Sequence, residues 1–210
     1  MALKSSNTNA PRKLLAYAAT PAAIKMNGAH LRMAGSVAKR IGLVTPARNR
    51  YRGRVTLDLT SDEYFMGEAL RLAKMAYETE EVPVGAVIVR DSKIIARAYN
   101  QVELLKDATA HAEILAITQA AHALGDWRLD GTTLFVTKEP CPMCAGAIML
   151  SRVKRLVFGV GDERAGGAGS VFPITSAKGL NHVVEVVPGV KEIEARELLQ
   201  SFFRTRRAES

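Results

Sequence analysis

Cysteine is nearly absent: the 210 residues hold two, spaced as Cys141-Pro142-Met143-Cys144, so there is no disulfide framework. In a reducing compartment such a pair points instead to metal or redox chemistry. No apolar run approaches the ~18 residues that a membrane span needs, and none has the continuous apolar core of a secretory signal. Internal repeats are lacking. The one Gly-rich stretch, "GDERAGGAGS", does not have the pattern of a P-loop, which leaves it as a crossover or binding loop. Acidic residues are missing altogether from positions 1–57, which carry 11 Lys/Arg. The other 18 Lys/Arg stand against all 21 Asp/Glu, so residues 58–210 have a net charge of −3. The overall charge of +8 therefore belongs to the N-terminal stretch, and says little about nucleic-acid binding by the rest.

What is present is the composition of a globular protein, 48% apolar and 24% charged, in a length that suits one domain with an appendage. Residues 1–57, with Pro11, Pro21, Pro46 and the basic run "ARNRYRGRV", can bury little apolar surface. They are expected to form a disordered extension, with at most a fleeting helix around "KMNGAHLRMAGSVAKRIG". Three readings of the extension stand: an organellar transit peptide, a basic arm that touches RNA, or a stretch upstream of a working protein that starts near Val55. The expected compartment is the cytoplasm, or an organelle under the first reading.

Residues 58–210 read as one folded domain. "TSDEYFMGEALRLAKMAYE" predicts a helix, with Thr60 and Glu63 at capping-box spacing and Phe65, Ala69, Leu72 and Ala76 on one face. "VPVGAVIVR" and "KIIARAY" flank Asp91-Ser92 and predict a hairpin. The helix "TAHAEILAITQAAHAL" follows, capped by Asp107 or Thr109 and stopped by Gly125. Then come a strand "TTLFVT", a helix "PMCAGAIMLSR" begun by Pro142, and the strands "RLVFGV" and "HVVEVV". The C-terminal "VKEIEARELLQSFFRTRR" is an amphipathic helix. This alternation predicts an α/β fold, a sheet with helices on both faces.

The chemistry sits at two helix starts. A strand running into C-x-x-C at a helix N-terminus has two readings: a thioredoxin-like nucleophile at Cys141, or two thiolates on one zinc. The upstream His111-Ala112-Glu113 favours the metal. A catalytic zinc takes three protein ligands and leaves a position for water, and His111, Cys141 and Cys144 supply three. Glu113, two residues from His111, can reach that water without ligating the metal. The set matches the zinc-deaminase pattern H-x-E…P-C-x-x-C. Taken singly, a histidine or glutamate would be an ordinary core or surface group, and His30, His122 and His182 keep that reading.

From roughly Asp62 to Arg207 the sequence resembles the bacterial tRNA-specific adenosine deaminases, carried by "EVPVGAVIV", "ATAHAEI", "TLFVTKEPCPMCAGAI", "GAGS", "NHVVEV" and "LLQSFFRTRR". The resemblance implies a three-layer α/β/α cytidine-deaminase-like fold with a mixed five-stranded sheet. It also implies one Zn2+ per subunit, a homodimer, and a tRNA anticodon stem-loop as partner, with the wobble adenosine of an arginine tRNA converted to inosine. Asn100 matches the position that hydrogen-bonds the flipped base. Asp162, Arg164 and Gly166–Gly169 match an RNA-facing loop, and Phe202, Phe203, Arg204, Arg206 and Arg207 a C-terminal helix that meets the stem-loop. By themselves, Asn100 reads equally as a turn residue, one of the two phenylalanines as core, and the arginines as partners of the helix dipole. Two positions depart from the family pattern. Lys138 stands where a leucine is usual, facing solvent or phosphate, and Ala108 stands where proline is common, an exchange expected to be tolerated.

Three rivals remain at this level. A free-base or nucleoside deaminase, for guanine or cytidine, would share the zinc motif but has no need of the Phe-Phe-Arg tail. A silent RNA-binding subunit with structural zinc would want a fourth protein ligand, and none is visible. A thioredoxin-like oxidoreductase would form a Cys141–Cys144 disulfide.

Overall fold

The computed structural model describes residues 58–209. Residues 1–57, for which a disordered extension and a fleeting helix are expected, lie outside the described part.

Helix α1 (Asp62–Glu78) begins one residue later than the capping-box spacing predicts. Ser61 is the N-cap, its Oγ accepting from the Tyr64 amide at 3.2 Å, while Thr60 bonds to the Asp58 carboxylate. Strands β1 (Gly85–Arg90) and β2 (Lys93–Tyr99) form the expected hairpin. Asp91 and Ser92 both take positive φ, 50° and 58°, as a tight two-residue turn between right-twisted strands requires. Next comes a single helical turn, α2 (Val102–Leu105), too short for hydrophobic periodicity to announce.

Helix α3 (Ala112–Leu124) starts from His111 and not from Asp107 or Thr109. The Asp107 carboxylate is already engaged with the Thr109 amide at 2.8 Å and hydroxyl at 2.7 Å, tightening the turn before the helix. Gly125, at φ 67°, stops the helix as expected. Strand β3 (Thr133–Lys138) runs into α4 (Pro142–Leu150), whose N-cap is Cys141. Strand β4 (Arg155–Val160), a 3₁₀ turn (Ile174–Ser176), β5 (Glu185–Val187) and α5 (Glu192–Glu209) complete the order. β5 is shorter than "HVVEVV" suggests. His182 bonds the Val153 carbonyl at 2.8 Å and the Val184 amide donates to Thr175 O, so ladder pairing begins only at Glu185.

The sheet order is β2-β1-β3-β4-β5, with antiparallel pairing on either side of β1 and parallel pairing from β3 onward. β1 shows why two faces are covered. Ala86 and Ile88 enter the core shared with α3 and α4, and Val87 and Val89 enter the one under α1. Helix α5 packs Ala195 and Leu199 against Leu70 of α1 and Val160 of β4. The expected three-layer fold, a mixed five-stranded sheet between helices, is the fold that forms. Gly85 is required where α1 crosses β1, since a Cβ there would stand 2.1 Å from the Ala69 carbonyl oxygen.

Candidate metal centre and active site

Helices α3 and α4 lie on the same face of the sheet, and their first turns converge. His111 caps α3 with extended backbone, and Cys141 caps α4 in the same way with Pro142 just inside the helix. Neither uses its side chain for capping, so imidazole and thiol are left to meet each other. His111 Nδ1 lies 3.4 Å from Cys144 Sγ and 3.6 Å from Cys141 Sγ, and the three ligand atoms all fall within 4.8 Å of one another. Both cysteines are free thiols.

One imidazole nitrogen and two sulfurs, held by two helix starts, fit a tetrahedral ion that prefers N and S ligands and keeps one position open. The charges favour it too. Cys141 is lowered to about 4, first by its hydrogen bond with Cys144 and against its own burial. Cys144 is pushed up by the same bond and by burial, and a metal on the cluster would favour the thiolate at both cysteines. His111 is raised by its hydrogen bond with Cys141.

Glu113 is 4% exposed, and burial raises its carboxyl above the usual range. It opens onto a cavity of about 990 Å³ together with His111, Cys141, Asn100 and Phe203. The structure thus gathers the predicted catalytic carboxylate, two of the metal ligands and two of the predicted substrate contacts around one hollow, with Cys144 directly behind. Asp162 and Arg164 do not line it. They border an adjoining groove with Lys138 and Phe203, which connects the two. Of the phenylalanine pair, Phe202 is buried and Phe203 is 43% exposed, so one packs inward and one faces out as the helix pattern predicts. Arg206 reaches the Glu80 carbonyl at 2.9 Å and lies 5.5 Å over the Phe202 ring, on the rim of the cavity.

Two buried carboxylates escaped the sequence reading. Glu139, after β3, accepts from the amides of Asp162 (2.8 Å), Ala168 and Ser170 (both 3.1 Å). Burial raises its pKa, but these hydrogen bonds outweigh burial and hold it below the ordinary value. They tie the loop 161–170 to the start of α4. The loop's glycines serve that approach: a Cβ on Gly166 would lie 2.4 Å from Glu139 Oε2. Glu81, 1% exposed, sits beside Asn100. Two glutamates in "TEEVPV" look like a surface turn, and no local pattern marks the second as buried. Lys138, half-buried at the end of β3, forms an ion pair with Asp162.

A mixed sheet with a His-Cys-Cys cluster and a buried glutamate at two helix starts defines a metal-dependent deaminase class. The profile of the MafB19-like deaminases matches residues 60–207. A tRNA-specific adenosine deaminase of Bacillus subtilis is 51% identical over 146 residues, 70% of this chain and 91% of the relative. A chloroplastic tRNA(adenine(34)) deaminase of Arabidopsis thaliana is 48% identical over 163 residues, which cover 70% of this chain and 12% of that longer one. A solved tRNA:A34 deaminase, described with A-to-I editing at the wobble position of transfer RNA, superposes with a TM-score of 0.63. It is 45% identical, and the match covers 65% of this chain and 99% of the other. The chain belongs to the family of tRNA-specific adenosine deaminases.

Proposed function

We propose that this protein hydrolyses the wobble adenosine of a tRNA, that of an arginine tRNA, to inosine and ammonia, with one zinc per subunit on His111, Cys141 and Cys144. One observation carries the reading. Glu113 is buried against the His-Cys-Cys cluster yet opens onto a cavity that Asn100 and Phe203 also line. When bound, the zinc would supply Lewis acidity that makes hydroxide available near neutrality. Glu113 takes up a proton from water and hands it to a ring nitrogen of the base as the hydroxyl adds to the ring carbon that bears the amine. It then carries that hydroxyl's proton to the amine, which leaves as ammonia while the carbonyl of inosine forms. Asn100 holds the extruded base by its edge, which a single-stranded anticodon loop can present. Phe203 offers a stacking face, and Asp162 and Arg164 border the groove along which flanking nucleotides would run.

Residues 58–210 are the working domain in this reading. A homodimer is supported by α4, which is apolar around its circumference while Met143 is 37% and Leu150 67% exposed. Light scattering of the purified protein reports the subunit number. Among the described residues no helix is long and apolar enough to cross a membrane. Function in the cytoplasm, against an organelle with residues 1–57 as transit peptide, is decided by mass spectrometry of the endogenous N-terminus.

The activity test offers zinc-loaded protein an arginine tRNA with A at the wobble position, beside free adenosine, cytidine and guanine. Inosine is expected only in the tRNA, and only with Glu113 present. Glu113→Ala is expected to lose turnover and keep its metal, whereas alanine at His111, Cys141 or Cys144 loses the metal, as elemental analysis would report. Turnover of a free base with the tRNA untouched would overturn the tRNA assignment.

A further inference from the structure

Glu81 owes its position to the end of α1. The chain leaves that helix through Glu80, whose φ is 63°, and the Glu81 amide returns to the Ala76 carbonyl at 2.9 Å. This turn swings the Glu81 side chain inward, to 1% exposure, beside the cavity that holds Glu113 and His111. Its two oxygens have separate tasks. Oε1 accepts from the Leu104 amide at 2.7 Å, and Oε2 accepts from Asn100 Nδ2 at 3.0 Å. The backbone of Asn100 is fixed independently, its amide donating to Val84 O at 2.9 Å and the next amide to Ala110 O at 3.0 Å. Only the rotation of the Asn100 side-chain amide is left for Glu81 to decide.

A side-chain amide turned by 180° keeps its shape and exchanges donor for acceptor. An ionised carboxylate accepts and cannot donate, so it selects the rotamer with Nδ2 toward itself. Asn100 is left with Oδ1 and the second Nδ2 hydrogen for a ligand. We propose that Glu81 is a positioning residue that sets the orientation of the Asn100 amide, and through it the hydrogen-bonding edge that the pocket offers to the base. This rests on the reading of Asn100 as the base contact in a tRNA adenosine deaminase. A base that presents an acceptor and a donor side by side, as the edge of adenine does, is matched by one amide rotamer and opposed by the other. The competing role for Glu81 is a plain structural clamp joining the end of α1 to α2, and the two roles make different demands on a swap of polarity.

In Glu81→Gln, the new side chain's Oε1 can still accept from the Leu104 amide while its Nε2 faces Asn100. The Asn100 amide must then turn its Oδ1 toward that Nε2. In the double variant Glu81→Gln/Asn100→Asp, an N–H···O contact forms again between the same positions with the same total charge, but position 100 has no N–H to offer. The experiment measures kcat and KM for tRNA deamination, zinc content and thermal midpoint for wild type, the single variant and the double variant. Glu81→Gln is expected to keep its zinc and lose ~10–100-fold in kcat/KM, the scale of one or two hydrogen bonds made in the transition state. The double variant is expected to regain the thermal midpoint of wild type without regaining kcat/KM. If Glu81→Gln matches wild type in kcat/KM, or if the double variant regains activity along with stability, Glu81 is only a clamp and the proposal is overturned. Wild type that leaves the tRNA untouched removes the functional reading, and this inference with it.

Discussion

At the scale of single residues, the carboxylates of this site divide by what surrounds them. Glu113 is buried beside metal-competent groups, and its charge is disfavoured. Glu139 is as deeply buried, but three backbone amides converge on it and favour the ion. Asp162 is held low as well: burial raises it, and the Lys138 ion pair with the Arg164 and Ala165 amides outweighs burial. Lys138, a departure from the family's leucine that was expected to face solvent or phosphate, thus faces a partner, Asp162, on the loop 161–170. Replacing Glu139 by Gln removes the charge and points an N–H at amide donors, at a cost on the order of 1–3 kcal/mol. Its pH signature has a defined sign. Because the folded pKa lies below the ordinary 4.5, the stabilisation is complete above that value and is lost as pH falls through the depressed folded one. Acid unfolding monitored by circular dichroism is expected to show a shallower limb in Glu139→Gln than in wild type. Equal limbs would mean that the loop's amides are satisfied without this carboxylate.

At the scale of elements, helix termini do most of the positioning. Ser61 fastens α1, His111 begins α3 and Cys141 begins α4. At α3 and α4 the cap residues turn their side chains toward each other instead of capping, and those helices rely on packing for stability. The α1 cap has no such second task and can be tested cleanly. Ser61→Ala is expected to cost about 1 kcal/mol and to lower Tm by ~2–4 °C, with deamination at ambient temperature unchanged. A drop in kcat would show that the entry to α1 reaches the site. The loop 161–170 behaves as an element in its own right, because Glu139 and the close approach of Gly166 hold it in place, an anchorage that its Gly-rich sequence does not announce.

At the scale of the whole molecule, the His-Cys-Cys cluster brings together two helices whose starts are 30 residues apart in sequence, so a metal held there would also be a cross-link. Arg155 makes a second long-range tie, gripping Asp62 with bonds of 2.8 and 2.7 Å that hold β4 to the start of α1. A metal that binds only the folded chain adds to its stability. Chelation is expected to abolish turnover and lower the thermal midpoint together, with both restored by added zinc. A midpoint indifferent to chelation would show that packing alone holds α3 and α4 in place.

Much of this was legible in the sequence. H-x-E and C-x-x-C singled out the three side chains that the structure brings within 4.8 Å of one another and the buried glutamate beside them, because such donors at two helix starts have few other uses. Periodicity placed every long helix and the main strands, and the Asp91-Ser92 hairpin announced its own turn. The one-turn α2, the true caps and the short β5 were not legible, since each depends on hydrogen bonds to residues outside its own segment. Only the tertiary structure decided that Glu81 faces Asn100, that Glu139 gathers a loop, and that Lys138 pairs with Asp162. The physical reason is common to all three. Burial of a polar side chain is set by which strands are neighbours, here β1 between β2 and β3 with β4 beyond, and local pattern carries no record of that order.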